Sequence, residues 1–493
     1  MAVVRARRAV IVGLLAAAGL AGGAALGACG DDPSVIAPVI DVPIDDTDAL
    51  ATALDDITLT VAHAGSDSDL VSQSFARGAP IDVPGVPFGD DLVMHMEGFV
   101  GTSSVAYGRT CEIAVTQNVA PPTPHLFFSR SVKFASIGIS SLARSGGLGV
   151  SYLGSAVLLG GTSTSSDGQG NPITVAVNPA ERFDPTTGQL TTIGTLVART
   201  RGAQALIGTP SRLVVMGGVS DGDHATLMEV LDGQTVEQVV YPGAPRADLT
   251  ATALTDGRVL VIGGAAANVP SGQIDEVDEN TDKSITVRTL DATLAHPRTL
   301  HTATRLSDEL GAPVLIAGGL GSDGQPVRVA ELFKPLTDEL ASPPFAPMLV
   351  VPRSGHLAAR LPDDSVLIIG GVDATGMPVT TLERFTIDAG FVEVGTLPAD
   401  AGVINFAAAT LPDGRILITG GSSTVGGATL NTAYIIRLDP LDGQIDVVAT
   451  DHLASARAGH QMAVLCDGTV IVSGGTLTPS KIERYNPPPA GRR

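Results

Sequence analysis

The chain contains no tryptophan, four lysines and three cysteines among its 493 residues, and each shortage removes a class of explanation. Without tryptophan, any motif built on that ring is excluded. Three cysteines, Cys29, Cys111 and Cys466, can supply neither a disulfide scaffold nor a thiolate cluster. Thirty Lys and Arg stand against 51 Asp and Glu, a formal charge of −21. Such a field disfavours nucleic acid, whose affinity comes from neutralised phosphates. The acids are spread rather than run together, so the surplus reads as solubility. The lysine shortage reads as base composition of the gene. Beyond the first 28 residues no stretch offers 18 uninterrupted apolar residues, so no membrane-spanning helix is expected. No His-x-x-x-His, Cys-x-x-Cys or phosphate-cradling glycine loop occurs, and neither a metal nor a cofactor is expected.

The N-terminus carries what the rest lacks. Arg5, Arg7 and Arg8 precede an apolar run from Ala9 to Leu26, the pattern of an export signal. Its end, Leu26-Gly27-Ala28-Cys29, resembles the lipobox of bacterial lipoproteins, which implies cleavage after residue 28 and acylation of Cys29. Cleavage removes three arginines and no acids, taking the charge from −21 to −24. Acyl chains anchor by about 0.8 kcal/mol per buried methylene, so lipid alone would hold the domain at a membrane. The expected location is the bacterial cell envelope, on the periplasmic side or at the cell surface.

Seven times a short aliphatic strand runs into a glycine pair: Gly160-Gly161, Gly217-Gly218, Gly263-Gly264, Gly318-Gly319, Gly370-Gly371, Gly420-Gly421 and Gly474-Gly475. Successive pairs are 57, 46, 55, 52, 50 and 54 residues apart. A period near 50 with strands and no helical pattern signals radial repetition of small β-sheets. In the clearest copy, Asp256-Gly257 makes a tight hairpin before the strand Val259 to Ile262. A strand rich in small residues precedes each hairpin, as in Thr302-Ala303-Thr304. A third strand is marked by an acid and an aromatic or aliphatic residue, as in Glu181-Arg182-Phe183 and Glu483-Arg484-Tyr485. A fourth follows a polar turn, giving four antiparallel strands per repeat.

These elements resemble the kelch family of β-propellers, also found as the central domain of galactose-oxidase-like proteins. The glycine pairs, aliphatic strands and acid-aromatic position all match over residues 131–487. So does an Arg opening each repeat with His nearby: Arg298 with His301, Arg353 with His356 and Arg457 with His460 fit fully, whereas Arg144, Arg199 and Arg246 keep only the arginine. The sixth repeat, around Asp400-Ala401-Gly402, has neither, and the family's fourth-strand tryptophan is missing throughout.

The seventh repeat ends after three strands, and Ser131 to Gly138 resembles a detached fourth. The expected fold is therefore all-β: a seven-bladed propeller closed by an N-terminal strand. Residues 1–28 are read as signal, 29–51 as an acidic, Pro-rich tether, 52–130 as a small β-sandwich-like domain, 131–487 as propeller and 488–493 as tail. Strand alternation puts the Arg and His positions, the glycine pairs and the long loops on one face of the disc, and the Asp-Gly hairpins on the other. Residue 131 enters on the hairpin face, so the preceding domain should attach there. Cys466 lies beside a hairpin on that face, where a disulfide with Cys111 would staple the two units; otherwise Cys111 is a small buried residue and Cys466 is unpaired.

Arg298, His301, Arg353, His356, Arg457 and His460 are the candidates for ligand binding at the channel mouth. Their recurrence favours a structural role instead, tying loops to backbone carbonyls. Five tyrosines do not assemble the copper ligand set of galactose oxidase, and a sialidase Asp box would need tryptophan. No catalytic residue is assigned. The expected function is a monomeric, lipid-anchored module binding a protein or glycan through its loop-rich face. The alternative is a carbohydrate-active enzyme, epimerase- or oxidase-like, with its site at the channel mouth.

Overall fold

A computed structural model describes residues 34–44, 50–76, 79–197, 199–220, 223–341, 347–477 and 480–487. The signal stretch 1–28, Cys29 and the tail 488–493 lie outside the described residues. Among those described, the architecture is all-β and propeller-like, with a single helical turn at Leu50–Ala53.

Each repeat folds as read. In the first, strands Leu148–Tyr152, Ser155–Leu159, Pro179–Asp184 and Gln189–Thr195 pair antiparallel in that order. Five more sheets repeat the order within 203–240, 250–293, 302–340, 357–396 and 407–449. The seventh uses His460–Val464, Val470–Gly474 and Lys481–Asn486, and its outer strand is Lys133–Ser140 from the N-terminal side. Phe134 sits opposite Tyr485, with ring centroids 4.6 Å apart. The detached fourth strand is thus where the sequence places it.

The core lies between sheets. Second strands are flanked on both faces, and Val259, Leu260, Val261 and Ile262 are all fully buried. Tyr152, Val157 and Leu159 of the first sheet pack on Leu213, Val215 and Leu231 of the second. Five further clusters join each sheet to the next. Ala156 and Phe183 of the first sheet meet Ala463, Leu465 and Ile471 of the seventh. Each fully buried aliphatic side chain contributes about 1.5–3 kcal/mol, so stability is distributed around the circuit.

The glycine pairs make close approach possible. Both members have positive φ in every pair, 60° and 91° at Gly318 and Gly319. A Cβ on Gly318 would lie 2.6 Å from the Arg353 carbonyl oxygen, and one on Gly319 2.5 Å from that of Thr299. The second glycine's N–H donates across the junction, from Gly264 to Arg298 O at 2.9 Å and from Gly475 of the last sheet to Arg144 O of the first at 2.9 Å.

The front unit is a six-stranded sheet: Ser129–Arg130, Ser103–Arg109, Gly89–Val100, Asp56–His63 and Asp69–Ala76 in order, with Ile113–Val115 also on Gly89–Val100. Ser34–Ile36 pairs with Val83–Val86, and Val39–Asp41 runs parallel to His125–Phe127. Ile36, Val83 and Val86 pack on Leu59, Val61, Leu92 and Met94 of the larger sheet. This corrects the tether boundary. Ile36 is buried in this core and Ile40 packs against the neighbouring cluster of Leu54, Met96 and Leu126, whereas Val35 stays exposed. The unit meets the hairpin face. Cys111 and Cys466 form a disulfide with Cα atoms 5.0 Å apart. Asn486 Nδ2 donates to the carbonyls of Tyr107 at 2.7 Å and Ser129 at 3.1 Å. The Arg484 guanidinium, ion-paired to Asp467, lies 4.2 Å from the Phe127 ring centroid.

Candidate functional site: the arginine locks and the axial ring

The six candidates do not line an open mouth; burial places them inside the repeats. Arg298, Arg353 and Arg457 are 0 % exposed, and His301, His356 and His460 are 3–6 % exposed. Arg298 donates through Nη1 to Gly318 O at 3.1 Å and through Nη2 to Val329 O at 2.9 Å and to Glu331 at 2.7 Å. Glu331 also accepts the N–H groups of Ala295 and His296. Arg353 does the same with Gly370 O, Thr381 O and Glu383, and Arg457 with Gly474 O, Lys481 O and Glu483. Arg144–Glu181, Arg199–Glu229 and Arg246–Asp275 complete the series. In the third repeat the acid is shorter, and Tyr241 adds a hydroxyl that donates to Asp275 and accepts from Arg246. The arginine therefore ties the first glycine's carbonyl to the third strand. Burial draws the pKa of Arg298, Arg353 and Arg457 below the ordinary guanidinium value, and the paired carboxylate opposes that shift.

The histidines fill space under the glycine pair of the preceding repeat. His301 Cε1 lies 2.6 Å from where a Cβ on Gly263 would sit, and His460 Cε1 2.8 Å from one on Gly420. Leu249 and Phe406 occupy the same position under Gly217 and Gly370. Nε2 of His301, His356 and His460 lies 3.2, 3.0 and 2.7 Å from the Oγ1 of Thr250, Thr302 and Thr419. Burial, with Arg298, Arg353 and Arg457 next in effect, pushes the three pKa values down to about 3. They are neutral at ordinary pH, and leucine or phenylalanine takes the position in other repeats.

The sixth sheet replaces the lock. Val403 stands for the arginine, Phe406 for the histidine, and Tyr434, opposite Ile418, for the glutamate. Tyr434 donates to Asp400 at 2.6 Å, and Thr432 Oγ1 donates to the Asp400 carbonyl at 2.8 Å. Burial, and then Asp400, raise the Tyr434 pKa.

What reaches solvent is the position two residues after each arginine. Gly146, Arg201, Asp248, Leu300, Gly355, Asn405 and Gly459 all have φ between 51° and 67°. Their backbones bond around the axis: Asp248 N to Arg201 O at 2.9 Å, Leu300 N to Asp248 O at 3.3 Å, Gly355 N to Leu300 O at 3.0 Å, Gly459 N to Asn405 O and Gly146 N to Gly459 O at 2.8 Å. These five bonds join the positions into two arcs, Arg201 to Gly355 and Asn405 to Gly146. The side chains along them are uneven. Three members have no side chain, Leu300 and Asn405 are exposed, and Arg201 donates through Nε to both carboxylate oxygens of Asp248 at 2.9 Å. This hydrogen bonding raises the Arg201 pKa. Around the arcs stand the loops after the glycine pairs, the longest a hairpin of Thr162–Ser166 and Pro172–Ala176. The sequence signal for the ring is faint, because only three of the seven are glycine.

Among the described residues no three His, Cys, Asp or Glu side chains converge as a metal would require. No family model matches the chain, and no curated protein matches it. Among solved structures, the one described as "Structure of YjhT" is 13 % identical, with a TM-score of 0.44, over 58 % of this chain and 93 % of that one.

Proposed function

We propose that the chain is a seven-bladed, kelch-like propeller, anchored to a membrane of the cell envelope by acylated Cys29, and that it binds a protein partner on its loop-rich face. The observation that carries this reading is the division of residue types. The recurring arginines, histidines and acids are committed to internal locks, while the axial ring and the loops differ from repeat to repeat and face solvent. Variable residues on a rigid scaffold are the usual seat of recognition. A protein is favoured over a glycan because no described Phe or Tyr is exposed, and sugar faces are held by stacking on exposed rings.

Capture from membranes by the lipid-free protein tests it on one sheet. Asn405→Arg on the ring and Val425→Arg in the adjoining loop should each lower capture at least about tenfold, as for residues central to an interface. Val448→Arg, on the exposed outer strand of the same sheet, should leave capture unchanged. Equal loss from all three would remove the loop-rich face as the binding surface.

A further inference from the structure

The tether is much shorter than its composition suggests. Ser34–Ile36 is already paired with Val83–Val86, and Ile36 is 0 % exposed. Only five residue steps separate Cys29 from Ser34, a reach of about 17 Å even when fully extended. From Ser34 the chain runs toward the ring of sheets. Asp41 Oδ2 approaches Gly188, in the turn between the outer two strands of the first sheet, and Ile44 N donates to Ser136 O of the seventh. The Ser34 end of the front unit is therefore the end before those contacts. The disulfide, Asn486 and Arg484 then fix the unit to the hairpin face.

We infer that the front unit is a membrane-facing pedestal. Its Ser34 end rests at the headgroup layer of the bilayer that holds Cys29, the hairpin face is turned toward that bilayer, and the loop-rich face is turned away. This rests on the acylation of Cys29 proposed above. The occupant of that end is lipid rather than protein, because an acylated Cys29 cannot leave the bilayer and five residues cannot carry Ser34 far from it. Electrostatic attraction does not hold it there. The cleaved chain carries −24 overall, and among the described residues of the front unit Asp56, Asp69 and Asp82 are exposed while no Lys or Arg is. Proximity enforced by a tether should be insensitive to salt.

A chain without tryptophan makes the test direct. Val35→Trp, on the first strand and 54 % exposed, and Val425→Trp, in a loop-face segment and 65 % exposed, are each introduced into the full acylated protein. Each is reconstituted in phosphatidylcholine vesicles carrying a dansyl-headgroup lipid, and energy transfer from tryptophan is measured. Transfer from position 35 should exceed that from position 425 by at least about threefold, given a reach of about 17 Å, and should not change between low and high salt. Inserting twenty Gly and Ser residues before Ser34 makes a tether with an end-to-end distance of about 28 Å, and should lower transfer from position 35 about twofold or more. Equal transfer from both positions, in protein whose mass shows the acyl chains, overturns the pedestal and leaves the anchor standing. A mass without acyl chains overturns both.

Discussion

The fifth and sixth sheets adjoin, share one hydrophobic cluster, and solve the same problem with opposite chemistry. The fifth holds its first glycine's carbonyl and its third strand together with Arg353 and Glu383, both 0 % exposed, over His356. The sixth has Val403 and Phe406 at those positions, and its third strand is tied instead to the preceding loop by Tyr434, which donates to Asp400. Both sheets keep the glycine pair and the same strand order. The difference teaches that the arginine is one means of closing a repeat and is dispensable when its acid goes with it.

The largest expected effect comes from breaking the fifth lock on one side. Arg353→Val leaves Glu383 buried without its cation and should cost about 3–5 kcal/mol in urea unfolding. Converting the whole lock to the sixth sheet's pattern, with Val350→Asp, Arg353→Val, His356→Phe and Glu383→Tyr together, should return stability to within about 1–2 kcal/mol of the parent, since replacing a buried pair outright is far cheaper than halving it. A graft no better than the single variant would mean that the sixth sheet owes its closure to something else.

The histidines give the next effect. Their folded pKa values, about 3, lie below the ordinary 6.5, so the unfolded chain binds protons first as the medium acidifies. Their contribution is complete above about pH 6.5 and is lost as pH falls toward 3, each costing about 1.4 kcal/mol per pH unit in that window. Leu249 already fills this position in the third sheet, and Phe406 fills it in the sixth. A triple variant, His301→Leu, His356→Leu and His460→Leu, should therefore flatten the stability profile between pH 6.5 and 4 relative to the parent. Unchanged steepness would assign the acid sensitivity to the carboxylates alone.

The smallest effect lies on the neutral side. Tyr434→Phe removes one hydrogen bond to an acid that water can still reach, and should cost about 1 kcal/mol. A loss near that of Arg353→Val would erase the distinction between the two sheets.

Much of this was legible in the sequence because the repeat writes it several times. The glycine pairs, the acid before Phe183 or Tyr485 and the detached strand at Lys133–Ser140 each follow from a pattern that the fold cannot shift without exposing a face. The burial of Arg298, Arg353 and Arg457 follows from recurrence too, although their partners do not; pairing with Glu331, Glu383 and Glu483 needs the third strand in register beside the second. Features that occur once were hidden. Tyr434 replacing a glutamate carries no motif, and Arg201, Asp248, Leu300 and Asn405 adopt left-handed backbone that their side chains do not advertise. The strands at Ser34–Ile36 and Val39–Asp41 are three residues each and show no alternation, so nothing sets them apart from an acidic, Pro-rich stretch.

The measurement that separates lock from ligand site is membrane capture by the fourfold graft in the fifth sheet, once its unfolding curve confirms a folded protein. If the buried arginine, histidine and glutamate only close the repeat, the graft captures its partner as the parent does. A graft that is fully folded and captures nothing would place those residues in the binding site and contradict the account.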